Sequence, residues 1–229
     1  MKKIIVFTGA GISAESGINT FRDSGGLWEQ HKIEDVATPE AWHRNPGLVL
    51  DFYNQRRKQV LEAQPNAAHL SIVDLEKKYE VVVITQNIDD LHERAGSSKV
   101  LHLHGEISKS RSSVDGRLTY DIDGWELRLG EKCEKGSQLR PHIVWFGEMV
   151  PAMEDASWLT SMADIFIIIG TSLEVYPAAN LIMYTKSNCE KYLIDPNAKI
   201  PAGVSDIQII KEKAGAGVPV LINKLLNDE

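Results

Sequence analysis

The chain has 229 residues, 43% of them hydrophobic and 25% charged, which is enough for one large domain, or for a core with a small module. Its formal net charge of −7 argues against a nucleic-acid groove as the main binding surface, because phosphate binding needs a basic stripe. Cys133 and Cys189 give no disulfide framework, and no segment is long and apolar enough to cross a membrane. We therefore expect a soluble, cytoplasmic protein.

Five short apolar runs, each ending in turn or polar residues, predict the strands of a parallel sheet. In chain order they read KIIVFTGAG, YEVVVITQN, DIFIIIGTS, KYLIDPN and SDIQIIKE. Runs this continuous are typical of strands that are buried on both faces. Helix-like stretches such as NAAHLSIVDLEKK and PAANLIMYTKSN lie between them, so the pattern predicts a doubly wound α/β sheet.

Two stretches interrupt this alternation and predict a small lobe over the sheet. Residues 31–69 look helical, and residues 106–140 are polar, glycine-punctuated and without strong periodicity. The core then comprises about residues 1–30, 70–105 and 141–229. Ligands of open α/β sheets bind at the carboxyl ends of the strands, so we expect the site in the cleft between sheet and lobe.

The turn TGAGIS after the first strand fits a dinucleotide-binding pattern. Gly9, Gly11 and Ala14 match G-x-G-x-x-G/A, whose backbone amides can approach a pyrophosphate, although glycine turns after strands are common. The prompt second strand that a dehydrogenase needs does not follow, so ordinary hydride transfer is poorly supported.

The segment LVLDFYNQRRKQV, within the predicted helical stretch, contains an unexpected charge. Its apolar stripe consists of Val49, Phe52, Tyr53 and Val60. Arg56 falls in the middle of that stripe, and no carboxylate lies three or four residues away to neutralise it. Arg57 lies about 100° further round the helix, toward the edge of the stripe, and needs no such explanation.

Two further strand ends carry polar side chains. TQNID places Gln86, Asn87 and Asp89 where they could bond ribose hydroxyls or an amide-bearing ring, although spacing alone favours a helix N-cap by Asn87 or Asp89. In LHLHGE, His102 and His104 point to one face of a strand. The pair is compatible with a metal site, with a general base or, for His102, with a satisfied core histidine. His104 is beside a glycine at a strand end, where exposure to a cleft is easier.

In this order, GAGIS, FR, TQNID, HLHGE, LRPHIVWFGE and GTSLEVYPAA resemble the sirtuin family of NAD-dependent protein deacylases. The resemblance covers nearly the whole chain, and the combination is highly specific although no single motif is. It implies one catalytic domain over residues 1–229, with a Rossmann-like core and a small inserted lobe. It also implies NAD as co-substrate, and acyl-lysine proteins or peptides bound in extended form.

The resemblance also assigns residues to three groups. The catalytic group consists of His104, as the base, with Asn87 and Asp89. The NAD-binding group consists of Gly9, Ala10, Gly11, Ser13, Phe21, Arg22, Trp28, Gln86, Asn87, Ile88, Asp89, Gly170, Thr171, Ser172, Asp195 and Ala214. The substrate-binding group consists of Tyr53, Arg56, Val144, Phe146, Gly147, Glu148 and Val175.

The mechanism that the resemblance implies transfers the acyl group to ADP-ribose. The acyl oxygen of the modified lysine attacks the ribose carbon of NAD, and nicotinamide leaves. His104 then draws a proton from a ribose hydroxyl, whose oxygen attacks the imidate intermediate, and water entering after this attack releases the lysine amine. The products are free lysine, nicotinamide and O-acyl-ADP-ribose, and a closing loop that contains Phe21 and Arg22 keeps water out until nicotinamide has left.

The chain departs from most sirtuins in its small lobe. Most members hold zinc there with two pairs of cysteines, whereas the corresponding positions here are Ser112, Asp115, Cys133 and Gly136. One thiolate with a serine, a carboxylate and a glycine is not a zinc site, so we expect no metal. We expect the lobe to be held instead by packing of Tyr120, Trp125 and the leucines that lie between them and Arg140.

One branch of the family carries a Tyr-x-x-Arg pair in its acyl pocket and prefers succinyl, malonyl or glutaryl lysine. Tyr53 and Arg56 match that pair and are neighbours on a helix, where the guanidinium could grip a carboxylate with two parallel bonds. A structural carboxylate from the other lobe is the alternative partner for Arg56. We expect an acidic-acyl deacylase with weaker deacetylase activity; the alternatives are mainly a deacetylase, an NAD or ADP-ribose sensor, or a mono-ADP-ribosyltransferase. We expect a monomer that binds neither nucleic acid nor membrane.

Overall fold

The computed structural model describes residues 1–18, 31–200 and 203–227. The strands in chain order are β1 (Lys3–Thr8), β2 (Glu80–Thr85), β3 (Val100–His102), β4 (Gly105–Ser112), β5 (Thr119–Asp121), β6 (Leu139–Ile143), β7 (Ile165–Ile169), β8 (Glu190–Ile194) and β9 (Ile207–Ile210). The α-helices are α1 (Ile33–Val36), α2 (Pro39–Arg44), α3 (Pro46–Glu62), α4 (Ala67–Asp74), α5 (Leu91–Ala95), α6 (Met153–Ser161) and α7 (Ala214–Asn227). None of these helices is both long and apolar enough to span a bilayer.

The main sheet has six strands in the order β3-β2-β1-β7-β8-β9, and every neighbouring pair is parallel. It contains all five strands that the apolar runs predict, and β3 is added at one edge. Strands β2 and β3 lie on one side of β1, and strands β7, β8 and β9, which come later in the chain, lie on its other side. The carboxyl ends of β1 and β7 therefore form a topological switch point, which is where sheets of this type bind ligands.

Both faces of the main sheet are covered, which explains why its strands are continuously apolar. Ile4 and Val6 of β1 point to one face, where they belong to a core that includes residues of α4 and α7. Ile5 and Phe7 point to the other face, where the core includes residues of α6 and of the 3-10 helix Ala178–Tyr184. This alternation between two buried faces confirms the predicted doubly wound α/β fold.

The second sheet is small and antiparallel, with the order β5-β4-β6. Its strands lie mostly within the stretch 106–140, which shows no periodic pattern of apolar residues. The reason is visible in β4, where Ser110 and Ser112 are only 1% and 2% exposed. Buried serines replace the apolar residues that normally reveal a strand, so a pattern based on hydrophobicity misses it. This sheet shares a third core with residues of α2 and α3.

The packing of this small lobe agrees with expectation only in part. Leu127 and Leu139 are buried, at 2% and 9% exposure, and Tyr120 packs against the same core. Trp125 and Leu129 are instead 42% and 59% exposed, so the packing role expected for them is wrong. Lys58 of α3 lies over the exposed Trp125 ring, 5.7 Å from its centroid.

Three of the four positions that correspond to zinc ligands carry side chains that contact other protein groups. The Cys133 thiol is 3.0 Å from the Ser137 hydroxyl, which is in turn 2.8 Å from the Ser112 hydroxyl. The Asp115 carboxylate is engaged by Arg117 and Lys135. Within residues 1–18, 31–200 and 203–227, no three His, Cys, Asp or Glu side chains gather as a metal site would require.

Helix α3 corrects the expectation for Arg57. The apolar stripe is buried as predicted, but Arg57 is itself only 2% exposed, and its residue surface is less accessible to solvent than that of Arg56. Its Nε donates to Ile107 O at 2.6 Å, and its Nη1 donates at 2.8 Å both to Asn54 Oδ1 and to Trp125 O. Arg57 therefore ties α3 to β4 and to the segment after β5.

Candidate active site

Two turns meet at the switch point of the main sheet. The Gly9 amide donates to Ile169 O at 3.0 Å, and the Gly11 amide donates to Gly170 O at 2.8 Å. Gly170 has φ +62°, and a Cβ there would lie 2.4 Å from the Ile12 nitrogen. Only glycine fits such a position, so the close approach of the turns after β1 and β7 depends on it.

A buried polar cluster adjoins these turns. Asn87 Nδ2 donates to Gly9 O at 3.2 Å and to Ser13 Oγ at 3.1 Å, and Ser13 Oγ donates to Asp89 Oδ2 at 3.0 Å. All three side chains are less than a tenth exposed. Asp89 Oδ1 also accepts from the Leu91 amide at 3.2 Å, but the N-cap of α5 is Asp90, so neither Asn87 nor Asp89 is the N-cap that spacing favours. Burial raises the pKa of Asp89 although these two donors oppose it.

His104 is held in an orientation that suits a general base. Its Nδ1 is 3.0 Å from Gln86 O, and because a carbonyl can only accept, Nδ1 carries the proton. In the neutral ring, Nε2 is then the nitrogen that can accept a proton. Burial lowers the pKa of His104, which favours this neutral form. The side chain is partly buried, as expected for a group at the edge of a cleft.

The outer residues assigned to NAD lie on the loops after β7 and β8 and at the start of α7. Gln86 Nε2 donates to Thr171 Oγ1 at 3.1 Å, which links the loop after β2 to the turn after β7. Asp195 directly follows β8, and Ala214 is the first residue of α7. Other members of the group are near the turns already described: Ala10 and Ile88 are partly buried, and Ser172 is exposed. Phe21, Arg22 and Trp28 lie outside the described residues.

Tyr53 and Arg56 lie on the inward face of α3, where Tyr53 belongs to the core shared with the small antiparallel sheet. Tyr53 is 2% exposed, and burial raises the pKa of its hydroxyl to about 12, although the nearby Arg56 charge acts in the opposite direction. Burial also lowers the pKa of Arg56, and the charges of Tyr53 and Asp89 oppose that shift. The Arg56 guanidinium is therefore within electrostatic reach of Asp89, a carboxylate from the loop after β2.

The expected substrate-binding segments differ in how accessible they are. Phe146 and Val175 are 42% and 37% exposed, Val144 donates its amide to His104 O at 3.0 Å, and Gly147 has φ +89°. The Glu148 carboxylate does not face open space. It accepts from Arg140 at 2.8 and 3.0 Å, from Arg111 at 3.1 and 3.3 Å, and from the Trp145 amide at 2.8 Å.

The sequence interpretation missed two sets of contacts behind the site. Thr85 Oγ1 accepts from the Asn87 amide at 3.0 Å and from Thr8 Oγ1 at 2.8 Å, and Thr8 Oγ1 is also 3.0 Å from His92 Nε2. The other set joins His102 to Glu93 at 2.8 Å. The polar ends of apolar strands were a sufficient signal for Thr8 and Thr85, but nothing in the sequence gives the partners of the histidines.

Comparison with known proteins agrees with this geometry. A model of the Sir2 family matches residues 9–177. An NAD-dependent protein deacylase of Bacteroides thetaiotaomicron is 51% identical over 231 residues, which covers 99% of both chains. An NAD-dependent protein deacylase of Helicobacter pylori is 53% identical over 228 residues, covering 99% of this chain and 98% of the relative.

Solved structures give the same result. A Sir2 homologue in complex with ADP-ribose has 38% identity and a TM-score of 0.89, covering 100% of this chain and 94% of the other. A Sir2 homologue bound to NAD has 38% identity and a TM-score of 0.89, covering 98% and 90%. A Sir2 protein with a deacetylated peptide and an acetyl-ADP-ribose has 30% identity and a TM-score of 0.83, covering 96% and 92%.

Proposed function

This chain belongs to the Sir2 family and is an NAD-dependent protein deacylase, and from that premise we propose that it prefers lysines carrying acidic acyl groups. Succinyl, malonyl and glutaryl lysine are the proposed substrates, and acetyl lysine is removed more weakly. One observation carries the preference: an arginine and a tyrosine three residues apart, Arg56 and Tyr53, lie in the otherwise apolar face of α3 beside the catalytic cluster.

The chemistry of these two side chains suits a carboxylate at the end of an acyl chain. A guanidinium can bind a carboxylate with two parallel hydrogen bonds, and a tyrosine hydroxyl can donate a third. The high pKa of Tyr53, about 12, keeps that hydroxyl protonated and able to donate at neutral pH. Burial strengthens the attraction between charges, so a small pocket can discriminate strongly between a succinyl and an acetyl group.

The remaining residues fit NAD. Two glycine turns lie in contact at the switch point, and beside them Ser13, Asn87 and Asp89 present buried polar groups. When bound, NAD supplies an electrophilic ribose carbon and a nicotinamide leaving group. We propose that the turn at Gly9 and Gly11 holds the phosphates, and that Asn87 and Asp89 line the nicotinamide and ribose end.

His104 is the proposed general base. Its Nδ1–H is fixed by Gln86 O, which leaves Nε2 to take a proton from a ribose hydroxyl. The low pKa caused by burial keeps the ring neutral, so it does not need to lose a proton before it can act. The exposed Phe146 and Val175 belong to the segments between which an extended peptide would pair its backbone.

The preference is tested by measuring NAD-dependent removal of succinyl and acetyl groups from one peptide by wild type and Arg56→Ala. We expect kcat/KM for desuccinylation to fall about a hundredfold, since two charge-assisted bonds are lost, while deacetylation changes less than about threefold. Tyr53→Phe should lower desuccinylation about tenfold. Lys58→Ala, which removes an exposed cation from the same helix, is the matched control.

Equal losses on the two peptides would contradict the proposal. That result would indicate that Arg56 serves mainly to neutralise Asp89, the carboxylate whose charge acts on it. A wild-type enzyme with faster deacetylation than desuccinylation would make it mainly a deacetylase. Mass spectrometry separates the other activities, because O-acyl-ADP-ribose marks deacylation, a mass gain on the protein marks ADP-ribosyl transfer, and unchanged NAD marks sensing.

We also propose that the enzyme acts in the cytoplasm as a monomer on protein substrates and binds neither nucleic acid nor membrane. The net charge of −7 supports the proposal that the protein does not bind nucleic acid. Light scattering during gel filtration tests the oligomeric state, and a mass of about twice 25.5 kDa would contradict it.

A further inference from the structure

His102 and Glu93 lie behind the candidate active site, and the function proposed above uses neither. His102 is the last residue of β3, and Glu93 is in α5. His102 Nδ1 is 3.0 Å from Asn87 O, and its Nε2 is 2.8 Å from Glu93 Oε1. The His102 side chain is 10% exposed and that of Glu93 is 41% exposed, so the ring is shielded from most water while the carboxylate is partly open to it.

Both neighbours of the His102 ring are acceptors. A backbone carbonyl and an ionised carboxylate have no proton to give, so both ring nitrogens must donate. The ring is then an imidazolium that holds two groups at once. Burial opposes this charge, but the contacts with Glu93 and Asn87 outweigh it and raise the pKa of His102, and the same pair lowers the pKa of Glu93.

The carbonyl that His102 holds belongs to the loop on which the NAD pocket depends. Gln86 O, one residue earlier, accepts from His104 Nδ1 at 3.0 Å. His102 at the end of β3 and His104 just after it therefore donate to two successive carbonyls, those of Asn87 and Gln86. From the opposite side, Thr85 Oγ1 holds the Asn87 amide at 3.0 Å. The Asn87 backbone is thus fixed at both its N–H and its C=O.

We propose that His102 is a positioning residue for the deacylation reaction, acting through the carbonyl of Asn87. Glu93 fixes the ring, the Nδ1–H fixes the carbonyl, and the Asn87 side chain stays directed at Gly9 O and Ser13 Oγ, beside the nicotinamide and ribose end of NAD. The inference rests on the NAD site proposed above, but it is independent of which acyl group the enzyme prefers.

Loss of the hydrogen bond from His102 to the Asn87 carbonyl should weaken the binding of NAD more than the binding of the peptide. Asn87 and Asp89 line only the NAD end of the proposed site, whereas the peptide segments around Phe146 and Val175 belong to other loops. A rigid pocket binds without the ordering cost that a loosened one incurs at each binding event. The expected consequence is a higher KM for NAD with little change in the KM for peptide.

The test is steady-state kinetics of wild type, His102→Ala, His102→Asn and Glu93→Gln. The substrate is whichever peptide, acetylated or succinylated, the wild-type enzyme deacylates faster. We expect His102→Ala to raise the NAD KM about tenfold, and His102→Asn, whose amide can still donate to the Asn87 carbonyl, to restore it to within about threefold. Glu93→Gln, which keeps an acceptor but removes the charge, should lie between wild type and His102→Ala. His43→Asn, at an exposed histidine of α2, is the control.

Several results would overturn the inference. One is an NAD KM in His102→Ala within twofold of wild type; another is His102→Asn being as impaired as His102→Ala. A lower melting temperature with both KM values unchanged would make the pair merely structural. If His102→Ala does not fold, an unchanged NAD KM in Glu93→Gln decides against the proposal. Because the faster peptide is used, a failure of the acidic-acyl preference leaves this test readable.

Discussion

His69 and His92 lie in contact beneath the candidate site, with ring centroids 4.9 Å apart and exposures of 0% and 1%. Burial lowers the pKa of His69 to about 4, and it lowers the pKa of His92 as well, where the charges of His69 and His102 add to the effect. His69 Nδ1 accepts from the Asn66 amide at the start of α4. Protonation of that nitrogen would remove the acceptor, so the folded state requires neutral His69.

We predict that acid destabilises the protein through His69. The unfolded chain binds this proton below about pH 6.5, whereas the folded chain binds it only near pH 4. Stability is therefore full at pH 7 and falls as pH drops from 6.5 toward 4, with a loss of about 2 kcal/mol at pH 5 from His69 alone. In urea unfolding at pH 7 and pH 5, His69→Asn should lose less stability between the two values than wild type does. Equal losses would show that His69 does not carry the effect.

At the scale of elements, Glu148 closes the turn that follows β6. Its carboxylate bridges Arg140 of β6 and Arg111 of β4 and also accepts from the Trp145 amide, and Arg140 Cζ lies 3.3 Å from the centroid of the Trp145 ring. Burial acts against ionisation, but these donors outweigh it and lower the pKa of Glu148. We infer that Glu148 serves substrate binding by shaping the turn, because its carboxylate is already fully engaged.

We predict that Glu148→Gln raises the KM for peptide about fivefold and leaves the KM for NAD unchanged. An amide cannot neutralise two arginines, so the free energy of unfolding should also fall by about 2 kcal/mol. Glu62→Gln, at an exposed glutamate at the end of α3, provides the control for removing one carboxylate. An increase in the NAD KM of the same size as that for peptide would argue that Glu148 acts on the whole cleft.

For the molecule as a whole, the question is how the small lobe keeps its shape. Its core joins α2 and α3 to the antiparallel sheet, and Arg57 donates across the lobe to Asn54 Oδ1, Ile107 O and Trp125 O. The hydroxyls of Ser112 and Ser137 contact the Cys133 thiol in the region for which the resemblance implies zinc ligands, and their hydrogen bonds lower the pKa of that thiol to about 6. We propose that packing and hydrogen bonds replace the metal.

We predict that elemental analysis of purified protein finds no stoichiometric zinc, and that a chelator leaves the melting temperature unchanged. Cys133→Ser should cost about 1 kcal/mol, the size of a hydrogen bond, because a structural zinc site contributes far more. Stoichiometric zinc, or unfolding on addition of chelator, would refute the prediction.

The sequence by itself determined the main sheet and the positions of its loops. A strand that is buried on both faces needs apolar side chains at nearly every position. This requirement produces the continuous apolar runs of β1, β2, β7, β8 and β9. The glycine turns and strand-end polar groups are local patterns too, so the candidate site could be assembled from motifs alone.

Only the tertiary structure decided which polar residues are buried and what satisfies them. Arg56 and Arg57 are adjacent and chemically identical, yet the acceptors that let Arg57 be only 2% exposed include backbone carbonyls of residues 50 and 68 positions away. The partners of Glu148 likewise come from other elements. Strand β4 has buried serines in place of apolar residues, so hydrophobicity alone does not reveal it. A buried charge is tolerated only where hydrogen-bond partners or opposite charges surround it. Here those partners come from distant parts of the chain, so no local sequence pattern can reveal them.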